Sequence, residues 1–216
     1  MNKGELRNQL RADIKDQASP KFFSDAQLDT WINEAETEAC RRALLLIDST
    51  STAASIDISA GDIGGDLDPS VIYVRRARLA STKRPIYPRV SRSMDEDIPS
   101  WEEDKASTPQ VFVPDWQTGY LRLWPPTRIA DTVSMTVVRI PLNTMVSDED
   151  SPEIKPHYHL MLLDWVKHRC YATQDYDLYD PKKSDMHKAE FVRNFGESRP
   201  IDEHWAQEQY FDVGAN

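Results

Sequence analysis

The sequence predicts an α+β fold: a helical bundle drawn from both ends of the chain, with a central antiparallel β insertion and an extended C-terminal tail. Three observations carry this. Apolar residues recur every three or four positions towards both ends, alternating and β-branched runs fill the middle, and the last twenty residues keep neither period. The expected division is residues 1–53 and 148–196 as the helical core, 54–147 as the β insertion and 197–216 as the tail.

Leu6, Leu10 and Ile14 step by four among charged neighbours, so a short amphipathic helix ends before Ser19-Pro20. Ser24 with Gln27 has the spacing of a capping box, and Leu28, Ile32, Ala35, Ala39, Ala43 and Leu46 continue one stripe of a long second helix. Ser55-Ile56-Asp57-Ile58-Ser59 alternates as a strand with one buried face, and Gly61-Asp62-Ile63-Gly64-Gly65 reads as a turn. Val71–Leu79, Gln110–Val113, Tyr120–Trp124 and Thr132–Ile140 complete a sheet of about five strands.

The stretch from Met94 to Asp104 holds six acids and no base, and is expected to be a loop or short helix too polar for a core element. Helical spacing returns near Pro156, with Tyr158, Met161, Leu162, Trp165, Arg169 and Ala172 on one stripe. Asp180-Pro181 is an N-cap and N1 pair for a final helix that buries Phe191, Val192 and Phe195 and stops at Gly196.

The 216 residues are enough for one large domain or two small ones, burying roughly 70% of the unfolded surface. Thirty-six acids against 26 bases give a formal charge of −10, and the sequence pI is about 5.0, which excludes a protein whose main task is to hold phosphates. A mean hydropathy of −0.63 predicts a high ratio of surface to core. No apolar run approaches the ~20 residues of a membrane span, and the amino terminus lacks the apolar core of an export signal. Cys40 and Cys170 lie in helical patterns and are expected to be buried thiols.

Catalytic and ligand signatures are weak. The glycine cluster at 61–65 lacks the Gly-Lys-Ser/Thr ending of a phosphate loop. His157 and His159 sit two apart, pointing about 200° from one another on a helix, so they cannot share an ion. His168-Arg169-Cys170 supplies ligand types without partners. Asp175-Tyr176-Asp177 with Asp180 begins like a calcium loop but has Asp180 at the place of its glycine and Met186 at the place of its glutamate. No catalytic residue, metal ligand or cofactor site is therefore assigned. Basic residues cluster once, at Arg75, Arg76 and Arg78 and on to Lys83, Arg84 and Arg89. The plain reading is the solvated face of a strand; the functional one is a patch that meets an acidic partner, a neighbouring subunit included, or the backbone of nucleic acid.

Three stretches together resemble the head-to-tail adaptor (connector) proteins of tailed bacteriophages. Phe23-Ser24-Asp25-Ala26-Gln27-Leu28-Asp29-Thr30-Trp31-Ile32-Asn33-Glu34-Ala35 is similar to their opening helix. Gly119-Tyr120-Leu121-Arg122-Leu123-Trp124-Pro125-Pro126, Ala130-Asp131-Thr132 and Val138-Arg139-Ile140-Pro141 resemble their strand, double-proline turn and strand. Glu153-Ile154, Tyr158-His159, Leu162–Val166, Gln174-Asp175, Tyr179-Asp180-Pro181 and Phe191–Gly196 resemble their closing helical hairpin.

The resemblance implies a structural virion protein at the head-tail junction, made in the host cytoplasm. It implies a homo-oligomer, a dodecameric ring below the portal protein that extends the channel for double-stranded DNA without reading its sequence. It also implies a platform for a tail component, nozzle or tail tube, with no cofactor and no membrane contact.

Trp205, Tyr210 and Phe211, spaced by Glu208 and Asp212, cannot form a local core and are expected to order only on a partner, which makes them candidates for portal binding. A DNA channel should be acidic or neutral, with the acids of 95–104 or 148–153 as candidates for its wall and the basic run facing outward or towards a neighbour. The competing class is a virion-associated cell-wall glycan hydrolase, which needs two carboxyls roughly 5 to 9.5 Å apart in one cleft.

Overall fold

Asn2 opens α1 (Lys3–Asp13) with a full capping box: its Oδ1 accepts the Glu5 N–H at 2.8 Å, and Glu5 Oε2 accepts the Asn2 N–H at 3.1 Å. In this computed structural model, residues 1–174 and 178–198 are described. Ser24 caps α2 (Asp25–Ala43) by accepting the Gln27 N–H at 3.2 Å. The helix ends at Ala43 because Leu44 turns to φ 52°, so Leu46 opens strand β1 (Leu46–Asp48) instead of extending the apolar stripe.

The remaining elements are β2 (Ser55–Ile58), β3 (Gly64–Asp66), β4 (Val71–Leu79), β5 (Pro85–Pro88), α3 (Ser91–Asp97), β6 (Val111–Gln117), β7 (Tyr120–Trp124), β8 (Asp131–Arg139), α4 (Leu162–Ala172) and α5 (Pro181–Phe195). The fold is α+β, with these five helices and an eight-stranded mixed sheet. The chain divides into two compact units, one of Met1–Leu46 with the described residues from Ile140 on, the other of Ile47–Arg139.

In the helical unit, Leu6, Leu10, Phe23, Leu28, Ile32, Ala35 and Ala39 share a core with Leu162, Leu163, Val166, Cys170, Phe191 and Phe195. Full burial of each large apolar side chain is worth ~1.5–3 kcal/mol. The α4 stripe is wider than the sequence expectation. Leu162 is buried and Tyr158, Met161 and Trp165 pack against the core as spaced; Leu163, Val166 and Tyr171 also face it, and Arg169 instead reaches outward to Glu34 at 3.6 Å. Pro156 begins a 3-10 segment through Met161, and the α-helix proper starts at Leu162. Asp180 caps α5 as its spacing predicts, accepting the Lys183 N–H at 3.1 Å.

In the sheet unit the strand order is β1-β8-β4-β5-β6-β7-β3, and β2 also pairs β8. Most pairs are antiparallel, as expected, but β5 and β6 run parallel through Tyr87↔Val111 and Pro88↔Phe112. The expectation of an antiparallel sheet is corrected to a mixed one for a reason of length: residues 89–110 form a crossover long enough to bring the chain back in the same direction.

Two further expectations are corrected here. Gly64 and Gly65 are not the end of a turn but pair with Arg122 and Leu121 as an edge strand. The acid-rich stretch does contribute to a core: Met94 and Trp101 are 0% and 1% exposed and pack with Val113. Its charges point outward from two apolar anchors.

Candidate functional site

The basic strand β4 carries Arg75, Arg76 and Arg78, all exposed. Its ladder with β8 slips by one residue between Val74 and Arg76, and this bulge lets two consecutive arginines face solvent. Beyond it, Ala77 and Leu79 point into the core while Arg76 and Arg78 stand on the open face opposite Thr136 and Ser134. With Ser49, these residues line an open groove of about 150 Å³. Among the described residues Arg76 and Arg78 have no hydrogen-bond or ion-pair partner. Farther along β8, Asp57 accepts the Thr132 hydroxyl at 2.7 Å, so the basic groove ends beside a carboxylate.

The acid-rich segment of the same unit is held from within. Trp101 Nε1 donates to Asp95 at 2.9 Å, Trp124 Nε1 donates to Asp104 at 2.9 Å, and Arg89 pairs with Asp97. Between these fixed points a 3-10 turn, Trp101–Glu103, presents Glu102 and Glu103 to solvent, and their carboxylates have no hydrogen-bond or ion-pair partner among the described residues. Behind the turn, the Arg122 guanidinium lies 5.4 Å from the centroids of both Trp101 and Trp116 and donates to the Ile63 carbonyl at 3.2 Å. Burial pulls the Arg122 pKa down, and the two ring faces supply the attraction that keeps this cation in place.

The titratable groups of the helical unit are engaged in packing. Lys3, Arg7 and Arg11 form an i, i+4, i+8 stripe on α1 that sequence reasoning missed, although the spacing was there to be seen. Arg7 spans Asp29 at 2.8 Å and Asp148 at 2.5 Å; Lys3 reaches Asp29 at 3.2 Å; Arg11 pairs with Asp16 and with Asp25 at 2.5 Å. Glu36 is 2% exposed and accepts the Glu153 N–H at 2.6 Å. Its burial outweighs those N–H donors and raises its pKa to about 7.

His168 Nδ1 lies 2.8 Å from Ser184 Oγ, but that hydroxyl donates to the His168 carbonyl at 3.1 Å, and Asp164 bonds His187 instead at 2.9 Å. Serine, histidine and aspartate thus clamp α4 to α5 in two separate pairs, without the relay a nucleophile needs. His159 is buried and His157 exposed, facing apart. Cys40 and Cys170 are both buried, and burial pushes the Cys170 thiol up to about 12. Among the described residues no group of three or more His, Cys, Asp or Glu could hold a metal ion, and no helix is long and apolar enough to cross a membrane. Trp205, Tyr210 and Phe211, and the Asp175-Tyr176-Asp177 stretch, lie outside the described residues.

Large apolar side chains are exposed on each unit, Ile47, Tyr87 and Ile129 on the sheet unit and Val146, Leu160 and Met186 on the helical unit. The chain belongs to the SU10 adaptor protein family, whose model matches residues 1–210. That family is one of phage head-to-tail adaptors, as the resemblance in the opening helix, the double-proline strand pair and the closing hairpin implies, and it assigns the chain a structural part in a virion. Among the curated proteins none matches the chain.

Proposed function

We propose that the protein is a ring-forming head-to-tail adaptor, assembled below the portal as a dodecamer, extending the DNA channel and giving the tail component its attachment surface. The observation that carries this is the adaptor-family match along residues 1–210. The surface supports it: large apolar side chains such as Val146, 81% exposed, and Ile129, 62% exposed, suit a chain most of whose outside becomes interface. In this reading residues 1–53 and 148–196 form the helical core that both chain ends build, 54–147 the β insertion, and 197–216 the tail that seats Trp205, Tyr210 and Phe211 on the portal. The channel face carries no basic belt, because each phosphate neutralised by Lys or Arg would add drag on a moving duplex.

The hydrolase reading has less behind it. The one described carboxyl with a raised pKa, Glu36, is buried and occupied by backbone donors, and the paired carboxylates around α1 are each matched by Lys or Arg.

Portal binding tests the proposal. The full chain should co-sediment with assembled portal, and a chain ending at Ser198 should keep its thermal midpoint while losing that binding. Unchanged affinity of the shortened chain would remove the tail's assigned role, and no binding by the full chain would remove the adaptor reading.

A further inference from the structure

We propose that the groove of Arg76 and Arg78 is a subunit contact that takes the carboxylates of Glu102 and Glu103 from a second copy of this chain. The inference rests on the ring reading above and names the charge pair that joins neighbours.

Arg76 and Arg78 are alternate residues of one strand, so their side chains leave the same face about 7 Å apart. The hydroxyl-bearing residues Ser49, Ser134 and Thr136 border them, a setting able to hold the outer oxygens of a bound carboxylate. Most arginines of the described chain are matched to carboxylates; these two are not, and the groove they line is open.

The counterpart has the same character. Glu102 and Glu103 are consecutive and exposed and make no hydrogen bond or salt bridge among the described residues, Glu102 feeling only the longer-range attraction of Arg122. They sit on a turn pinned by the buried Trp101 and by the Asp95 and Asp104 hydrogen bonds. A pre-ordered pair of charges loses little entropy on docking.

Neither pair meets the other within one copy. A patch that complements a different patch on the same molecule makes a heterologous contact, the kind that closes into rings. In such a contact the basic groove of one copy receives the acidic turn of the next.

A nucleic-acid backbone fits this groove less well. Only two cations line it, Asp57 stands on the same sheet face beyond Ser134, and the chain carries a net charge of −10, so a polyanion would meet a carboxylate at that end and a repulsive overall field.

Reciprocal charge exchange tests the pairing, read as ring yield on purified portal by particle imaging. Arg76→Glu with Arg78→Glu, and separately Glu102→Arg with Glu103→Arg, should each lower ring yield at least about tenfold, since like charges then face across the contact. All four substitutions in one chain should restore it to within about twofold, because every interface regains opposite signs. Thermal midpoints close to wild type show that the variants fold. Loss in both pairs without rescue overturns the inference, and if the arginine variant alone also ceases to retard double-stranded DNA, the groove is a phosphate contact instead. Wild-type ring yield from either pair alone overturns it too. A wild-type chain that forms no ring on portal would instead bring down the ring reading itself, an outcome separate from any behaviour of the variants.

Discussion

Glu36 sets a pH dependence at the scale of one residue. Its folded pKa, about 7, lies above the ordinary 4.5, so the folded state holds the proton more tightly than the unfolded chain. The associated stability is complete below about pH 4.5 and is lost as pH rises through 7. Glu36→Gln keeps an acceptor for the Glu153 and Ile154 N–H groups and removes the charge. Its thermal midpoint relative to wild type should therefore rise from pH 5 to about pH 7 and level off above that, and a difference constant over that range would contradict the assignment. Gly64 makes the second prediction: its φ is +152°, and a Cβ there would overlap the Leu121 carbonyl of the paired strand. Gly64→Ala should lower stability by at least about 1 kcal/mol in urea titration, and by more than Gly61→Ala, where φ is +90° but the space around a Cβ is open, so that only backbone strain is added.

Among elements, α1 is held by its ionic stripe as much as by its apolar one. Asp16 is 1% exposed and receives both the Arg11 guanidinium and the Phe22 N–H at 2.7 Å. Arg11→Met leaves that carboxylate buried without its cation and should cost about 3–5 kcal/mol. Adding Asp16→Asn should return part of the loss, so purely additive losses in a double-mutant cycle would show the pair to be uncoupled.

The helices were largely legible because their signals are local: Asp180-Pro181 caps α5, Ser24 caps α2, and the four-residue steps of Leu6 and Leu10 are buried as spaced. What escaped the sequence depends on distant chain. The parallel pairing of Tyr87 with Val111 needs the return path of residues 89–110, and the burial of Met94 and Trp101 needs Val113 beneath an acidic stretch. The candidate site divides in the same way. The run of arginines is plain in the sequence, but a bulge against β8 decides which of them share the groove with Ser134 and Thr136.

Across the whole molecule, a charge of −10 per copy makes unguided association repulsive, and the specific contacts must overcome it. The isolated chain should sediment as a monomer or weak oligomer at low micromolar concentration. A stable ring without portal would show that the portal is not needed as a template.

Imaging the purified protein bound to portal decides whether this chain is an adaptor that forms a ring there. The expected image is a closed ring of twelve copies stacked on one face of the portal around a continuous channel, with Arg76 and Arg78 of each copy against its neighbour and away from the lumen. Copies bound singly without mutual contact, or a ring whose lumen is lined by Arg76 and Arg78, would contradict it.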